Sequence, residues 1–288
     1  MFCAKAGAKQ VIAVDNSNIL NKARENIFNN GLSSQIVCVK GRIEDVTLPV
    51  KEVDVIVSEW MGYCLLYEAM LPSVLWARDR YLKADGLMVP SHSSMWVAPV
   101  SDTEWITDHI SFWHDVYGFD MKAMQEDIYV DSRVLTLPPT SLGGSAYDFR
   151  LLDLHTVKIE DLVFDVPWQS KMSADVDGLD GFLIWFDIFF AQTRNDMTVT
   201  PQITAKEWAA GGRHRVAFTT GPHGVETHWR QCLLVNKWHS ETQTTLAGQE
   251  IKGRISYATP KDHARGLNIT VSWDVQGTDT RSQQWLVN

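Results

Sequence analysis

Two carboxylates, Glu59 and Glu68, stand at the ends of the otherwise apolar stretch S-E-W-M-G-Y-C-L-L-Y-E-A-M-L, Ser58 to Leu71. A carboxylate held at each end of a tight apolar loop is suited to gripping one cation. The best geometric match is a guanidinium, whose planar fork offers several donors and stays charged at any physiological pH.

That loop needs elements to position it. The approach V-D-V-I-V-S-E is rich in β-branched residues and predicts a buried strand over Val53–Val57 that stops at Glu59. After the loop, Leu71, Val74, Leu75 and Tyr81 recur as one face of a helix over Met70 to Tyr81. Upstream, Val11 to Val14 reads as a strand ending at Asp15, Ile19 to Asn29 as a helix capped by Asn16 or Ser17 and closed by Asn30-Gly31, and Ile36 to Val39 as a strand leading to K-G-R-I-E-D. Three strands, each followed by an acid, point to a parallel, doubly wound sheet. Ligands of such sheets gather at the carboxyl ends of the strands.

Near Met88-Val89-Pro90 the helix signals fade and the chain becomes mainly β. Leu267 to Val275 alternates apolar and polar at every step, a half-buried antiparallel strand, while Phe182 to Phe190 is nearly all apolar and reads as central. Ile251 to Ala258 reads as another strand, with turns at Gly211-Gly212 and Ala247-Gly248, and the set suggests a sandwich or a barrel. One segment interrupts it. From about Trp105 to Pro139, Ile106, Ile110, Trp113, Val116 and Tyr117 recur at helical spacing, too many large apolar groups for a free surface helix. Either the segment packs on its own barrel, or it is an arm buried against another subunit.

The 288 residues have room for two domains, and 45% hydrophobic against 21% charged residues is a globular composition. With 35 acidic and 26 basic residues the net charge is -9, which argues against nucleic acid and suits a basic protein partner. Cys3, Cys38, Cys64 and Cys232 fit neither a zinc spacing nor a secreted framework, so no metal is expected and the thiols read as reduced, in cytosol or nucleus. Phe182 to Ala191, the longest apolar run, contains Asp187 and is too short to cross a membrane. The start shows no secretory signal.

Taken as a motif, Ser58 to Leu71 resembles the double-glutamate loop of the protein arginine methyltransferases. V-I-A-V-D at 11 to 15, K-G-R-I-E-D-V at 40 to 46, D-V-Y-G-F-D-M at 115 to 121 and T-H-W at 227 to 229 extend the resemblance over the whole chain. It is nearest the type I enzymes, in the branch that includes arginine methyltransferase three. The resemblance implies an α/β plus β architecture, with a Rossmann-like S-adenosylmethionine-dependent methyltransferase domain over 1–89 and a β-barrel substrate domain over 90–288. It implies a helical dimerisation arm at about 105–139, and hence a homodimer.

Residue by residue, the resemblance implies that Glu59 and Glu68 grip the substrate guanidinium and that His228 lies beside the arginine site. Asp15 would accept hydrogen bonds from the cofactor ribose, and Ile43 with Glu44 would read the adenine edge. Met70 and Trp229 would shape the substrate pocket. The implied cofactor is S-adenosyl-L-methionine. The implied substrates are glycine- and arginine-rich proteins and histones, taken to monomethyl and asymmetric dimethyl arginine.

The chain departs from the family pattern at its beginning. A member with the whole pattern carries, before position 1, a helical segment and a first strand with a G-x-G-x-G loop; M-F-C-A-K-A-G-A resembles the helix just after that loop. The expectation is therefore a cofactor domain incomplete at its N-terminus, and a second reading stands beside the enzyme: a non-catalytic member that dimerises with an intact relative. A nicotinamide dehydrogenase on a similar sheet would leave the two-carboxylate loop unexplained.

Overall fold

In the computed structural model, which describes residues 1–194, 196–240, 244–275 and 279–288, the chain forms two units. Met1–Ile56 with Ser73–Gly86 make the first, and Val57–Pro72 with Leu87–Asn288 make the second. The loop that carries Glu59 and Glu68 thus belongs to the second unit, although the strand and helix on either side of it lie largely in the first.

The first unit opens with α1 (Phe2–Lys5), β1 (Val11–Asp15), α2 (Ile19–Asn29) and β2 (Ile36–Lys40). β1 and β2 pair in parallel from Val11↔Ile36 to Asp15↔Lys40, as their βαβ spacing requires. Ile27 of α2 packs with Ala4 and Ile36, and Val11, Ala13, Leu32 and Cys38 close the cluster. Gly31, at φ +68, turns the chain out of α2, and the Leu32 N–H reaches back to the Ile27 carbonyl at 3.0 Å. The start of α2 differs from the expected cap at Asn16 or Ser17. Asn18 holds that position without a side-chain cap bond, its Oδ1 instead accepting from Lys40 Nζ at 2.7 Å, while the Ser17 hydroxyl accepts the Ile19 N–H at 3.4 Å.

β3 (Val53–Val57), α3 (Leu71–Tyr81) and β4 (Leu82–Val89) follow, and β3 pairs with β4. Among the described residues, neither pairs with β1 or β2, so the three expected strands do not form one continuous ladder. Leu71, Val74, Leu75 and Tyr81 are buried, as the helical spacing predicts. β4 is not foretold by the sequence: it leaves α3 without a glycine or proline to mark the change.

The second unit is β5 (His92–Val100), α4 (Thr103–His109), β6 (Arg133–Leu135), β7 (Tyr147–Asp153), β8 (Phe164–Lys171), β9 (Gly181–Phe190), α5 (Ala205–Ala210), β10 (Val216–Thr219), β11 (Gln231–Val235), β12 (Glu250–Ala258), β13 (Leu267–Val275) and β14 (Arg281–Val287). One sheet runs β6-β11-β9-β5-β7 with β10 added on β9, and a second runs β14-β13-β12-β8. β9, the apolar run read as central, pairs with β5, β10 and β11. β13 alternates buried and half-buried residues as its pattern demands.

The two sheets meet over aromatic rings. Phe182 of β9 has its ring centroid 5.3 Å from Trp168, 5.0 Å from Trp273 and 6.4 Å from Trp285, all in edge-on geometry. Each such pair contributes about 0.5–1.5 kcal/mol beyond the apolar area it buries.

Residues 105–139 pack in part on their own sheet, the first of the two alternatives left open by the sequence. Ile106, Ile110, Ile128 and Leu137 are buried in one cluster with Trp96, Leu183, Trp185 and Leu233 of the sheet. Phe112, Tyr117, Phe119, Met121 and Met124 are exposed. The helical period lasts only through α4; short 3-10 turns at Ser111–His114 and Lys122–Gln125 follow it, and between them Tyr117 and Gly118 take left-handed backbone, φ +52 and +87.

Candidate functional site

The loop from Ser58 to Leu71 is closed by its own backbone. Gly62 and Leu65 exchange hydrogen bonds at 2.9 and 3.0 Å, the Tyr67 N–H reaches the Tyr63 carbonyl at 3.1 Å, and the two tyrosine rings stack at 6.0 Å. A Cβ on Gly62 would lie 1.9 Å from the Tyr67 carbonyl oxygen, so only glycine fits there. Cys64, Leu65, Glu68 and Ala69 all have positive φ, between 51 and 76°. Left-handed backbone at a non-glycine residue costs on the order of 1–3 kcal/mol and persists only where the surroundings hold it. Here Trp60, Met61, Cys64, Leu65 and Leu71 are buried and anchor the loop, while Glu59 and Glu68 remain exposed at its two ends. Met70 is also exposed, at 46%.

His228 and Trp229 reach the same loop from the segment before β11. The indole N–H of Trp229 donates to the Met61 carbonyl at 2.8 Å, two residues beyond Glu59. Its ring stacks on Phe218 at 5.7 Å and meets Phe186 edge-on at 5.8 Å. The exposed imidazole of His228 lies against Trp229 with centroids 3.8 Å apart. Five residues singled out from the sequence, Glu59, Glu68, Met70, His228 and Trp229, thus fall in one unit, with Trp229 joining the two segments that carry them.

In the first unit, Asp15 ends β1 opposite Lys40. The Ser17 hydroxyl and then the Ser17 N–H hold its carboxyl below the ordinary carboxylate value, so it stands as an ionised acceptor at a strand end. Glu44, with half-buried Ile43 before it, lies in a turn just after β2. The Ser73 hydroxyl donates to Glu44 Oε1 and is the first cause of its lowered pKa; Arg42 Nε stands 3.6 Å from Oε2. Anionic acceptors at the ends of β1 and β2 match what ribose hydroxyls and an exocyclic amino group require.

Two contacts escape the sequence. Ser73 on Glu44, and Arg265 with Nη2 3.4 Å from Glu68 Oε1, join positions far apart in the chain, and neither belongs to a local pattern.

Residues 91–278 match the family described as arginine methyltransferase oligomerization subdomain, and residues 1–89 match a methyltransferase domain. The ribosomal protein arginine N-methyltransferase rmt3 of Schizosaccharomyces pombe is 41% identical over 289 residues, covering 100% of this chain and 50% of its own length. Protein arginine N-methyltransferase 1 of the same yeast is 38% identical over 273 residues, covering 95% of this chain and 74% of its own. The chain therefore spans half the length of the first relative and about three-quarters of the second. Among solved structures, the Trypanosoma brucei PRMT1 enzyme-prozyme heterotetrameric complex with AdoHcy aligns with a TM-score of 0.84 at 29% identity, covering 100% of this chain and 84% of that one. Arabidopsis thaliana protein arginine methyltransferase 10 aligns at 0.78 and 26% identity, covering 99% and 84%.

Proposed function

The chain belongs to the protein arginine N-methyltransferase family, and from that premise we propose that it transfers a methyl group to the guanidinium of arginine in protein substrates. The observation that carries this reading is the acceptor loop, a backbone-locked turn that exposes one carboxylate at each end. S-Adenosylmethionine, when bound, supplies an electrophilic methyl on a sulfonium. Asp15 and Glu44 would be the acceptors for its ribose and adenine, with Ile43 helping to hold the base; the lowered pKa of both acids supports that fit.

Glu59 and Glu68 do the rest of the binding chemistry. A guanidinium is a poor nucleophile because its lone pairs are delocalised. Carboxylates on its terminal nitrogens hold the positive charge to one side and leave electron density on the nitrogen that attacks. Methyl transfer is an in-line displacement, so alignment of that nitrogen supplies much of the rate. Charge-assisted hydrogen bonds of this kind are worth roughly 1.5–3 kcal/mol each. His228, held on Trp229 beside the loop, orients the substrate arginine, and Met70 lines its pocket.

The substrates are basic, glycine- and arginine-rich proteins and histone tails, in keeping with a chain of net charge -9. The products are monomethyl and asymmetric dimethyl arginine. The protein acts in cytosol and nucleus, a placement that four free cysteines support, and it works as a homodimer through the exposed face of residues 105–139.

Glu59→Gln and Glu68→Gln test the assignment. Each is expected to slow methylation of an arginine-rich peptide about a hundredfold, the loss of roughly 3 kcal/mol of transition-state stabilisation, with cofactor affinity by calorimetry unchanged. Unchanged methylation by either variant would reject the role. A wild-type chain that assembles but transfers nothing would favour the other reading, a non-catalytic partner.

A further inference from the structure

Glu68 already carries a guanidinium. Arg265, in the hairpin between β12 and β13, places Nη2 3.4 Å from Glu68 Oε1, and its own carbonyl accepts the Glu68 N–H at 2.9 Å. The two side chains are 62% and 46% exposed, so the pair is washed by water and the contact is long and single. Glu59, at the other end of the loop, has no ion pair among the described residues. One of the two acids assigned to the substrate is therefore matched, inside the same unit, by the functional group that the substrate would bring.

We propose that Arg265 is an affinity-setting residue: it stands in for the substrate guanidinium on Glu68 in the free protein and is displaced when an arginine side chain binds. The inference rests on the reading of Glu68 as part of the arginine site. Three features make the exchange workable. A substrate arginine that takes both carboxylate oxygens, or bridges Glu68 and Glu59, outcompetes one contact at 3.4 Å. Exposed pairs of this type are held weakly, so displacement costs little. Both side chains lie open to solvent, so the Arg265 guanidinium swings aside into water and no buried charge is left behind.

Removing the side chain leaves the main-chain bond from Glu68 to residue 265 in place, which makes the substitution a clean probe. Arg265 is also a cation near the place where a second cation must sit. Both effects act in one direction: Arg265→Ala should bind arginine more tightly. Arg265→Lys, which keeps the charge without the fork, should fall between that variant and wild type.

The experiment is calorimetric titration of a glycine- and arginine-rich peptide into the 288-residue chain, wild type and variants, with no turnover required. The expected result is that Arg265→Ala binds about two- to fivefold more tightly, with melting temperature unchanged. In a Glu68→Gln background, Arg265→Ala is expected to give a smaller gain, since the contact to be displaced is gone and only the repulsion between the two cations is relieved. Equal or weaker affinity in Arg265→Ala, a gain undiminished by Glu68→Gln, or no peptide binding by any form would overturn the proposal. A chain that shows the predicted affinities yet transfers no methyl group would sink the catalytic reading and leave this one standing.

Discussion

Gly62 shows how much of the site rests on single atoms. An added Cβ would lie 1.9 Å from the Tyr67 carbonyl oxygen and 2.7 Å from its carbon, and a backbone carbonyl cannot swing away as a side-chain tip would. Gly62→Ala should therefore move residue 67 and, with it, the left-handed Glu68 beside it. The expected outcome is at least a tenfold loss of arginine-peptide affinity by calorimetry, together with destabilisation of about 1–3 kcal/mol in a denaturant melt. Peptide affinity equal to wild type would contradict a preset loop. At this scale the sequence was informative where the chemistry is local. Glu59 and Glu68 declared themselves by type and spacing, and Asp15 by its place at a strand end. Arg265 on Glu68 and Ser73 on Glu44 did not, because a side chain's partner across the fold leaves no trace in the residues next to it.

Among elements, the tie between the segment before β11 and the acceptor loop is the one on which the site depends. Trp229→Phe keeps an aromatic ring against Phe218 and Phe186 but removes the donor to the Met61 carbonyl. The variant should lose about 0.5–1.5 kcal/mol of stability and bind an arginine peptide several-fold more weakly, because the loop is freed from the residues that carry His228. Chemical denaturation and peptide titration together check this; wild-type values in both would remove the tie from the account. Periodic elements were legible: β13 alternates in sequence and in burial, and β9 reads as a buried centre and is one. β5 was not, since all nine of its residues are buried and a strand covered on both faces has no alternation to read. Residues 105–139 misled in part. Apolar spacing there is helical, yet the α-helix ends at His109 and 3-10 turns and a left-handed Tyr117-Gly118 follow, with one group of large side chains on the sheet and another exposed.

On the scale of the molecule, the second unit buries acids that have no catalytic assignment, Asp148 and Asp187 among them. Loss of solvation pushes Asp148 and Asp187 up to about 6 from an ordinary 3.8, although Asp187 still accepts the Ala205 N–H at 2.7 Å. The folded form thus keeps its proton where the unfolded chain has lost it, so each acid erodes stability as pH rises from about 4 through 6, by roughly 3 kcal/mol at the end of that window. Asp187→Asn, neutral at every pH, should melt higher than wild type at pH 8, with the difference closing towards pH 4; a difference independent of pH would contradict the assignment. Assembly is the second property of this scale. Tyr117 is 97% exposed and Phe119 69%, on a segment whose other face is already committed to its own sheet. The wild-type chain should sediment as a dimer at micromolar concentration, and Phe119→Glu as a monomer; a monomeric wild type would remove the homodimer. The central claim, that the acceptor is an arginine, is met most directly by mass spectrometry of two peptides identical except for arginine or lysine, each incubated with the chain and S-adenosylmethionine. The account predicts methyl groups on the arginine peptide alone, because two carboxylates at the ends of one loop match a planar fork and not a point charge. Methylation of the lysine peptide, or of neither while the cofactor is bound, would contradict it.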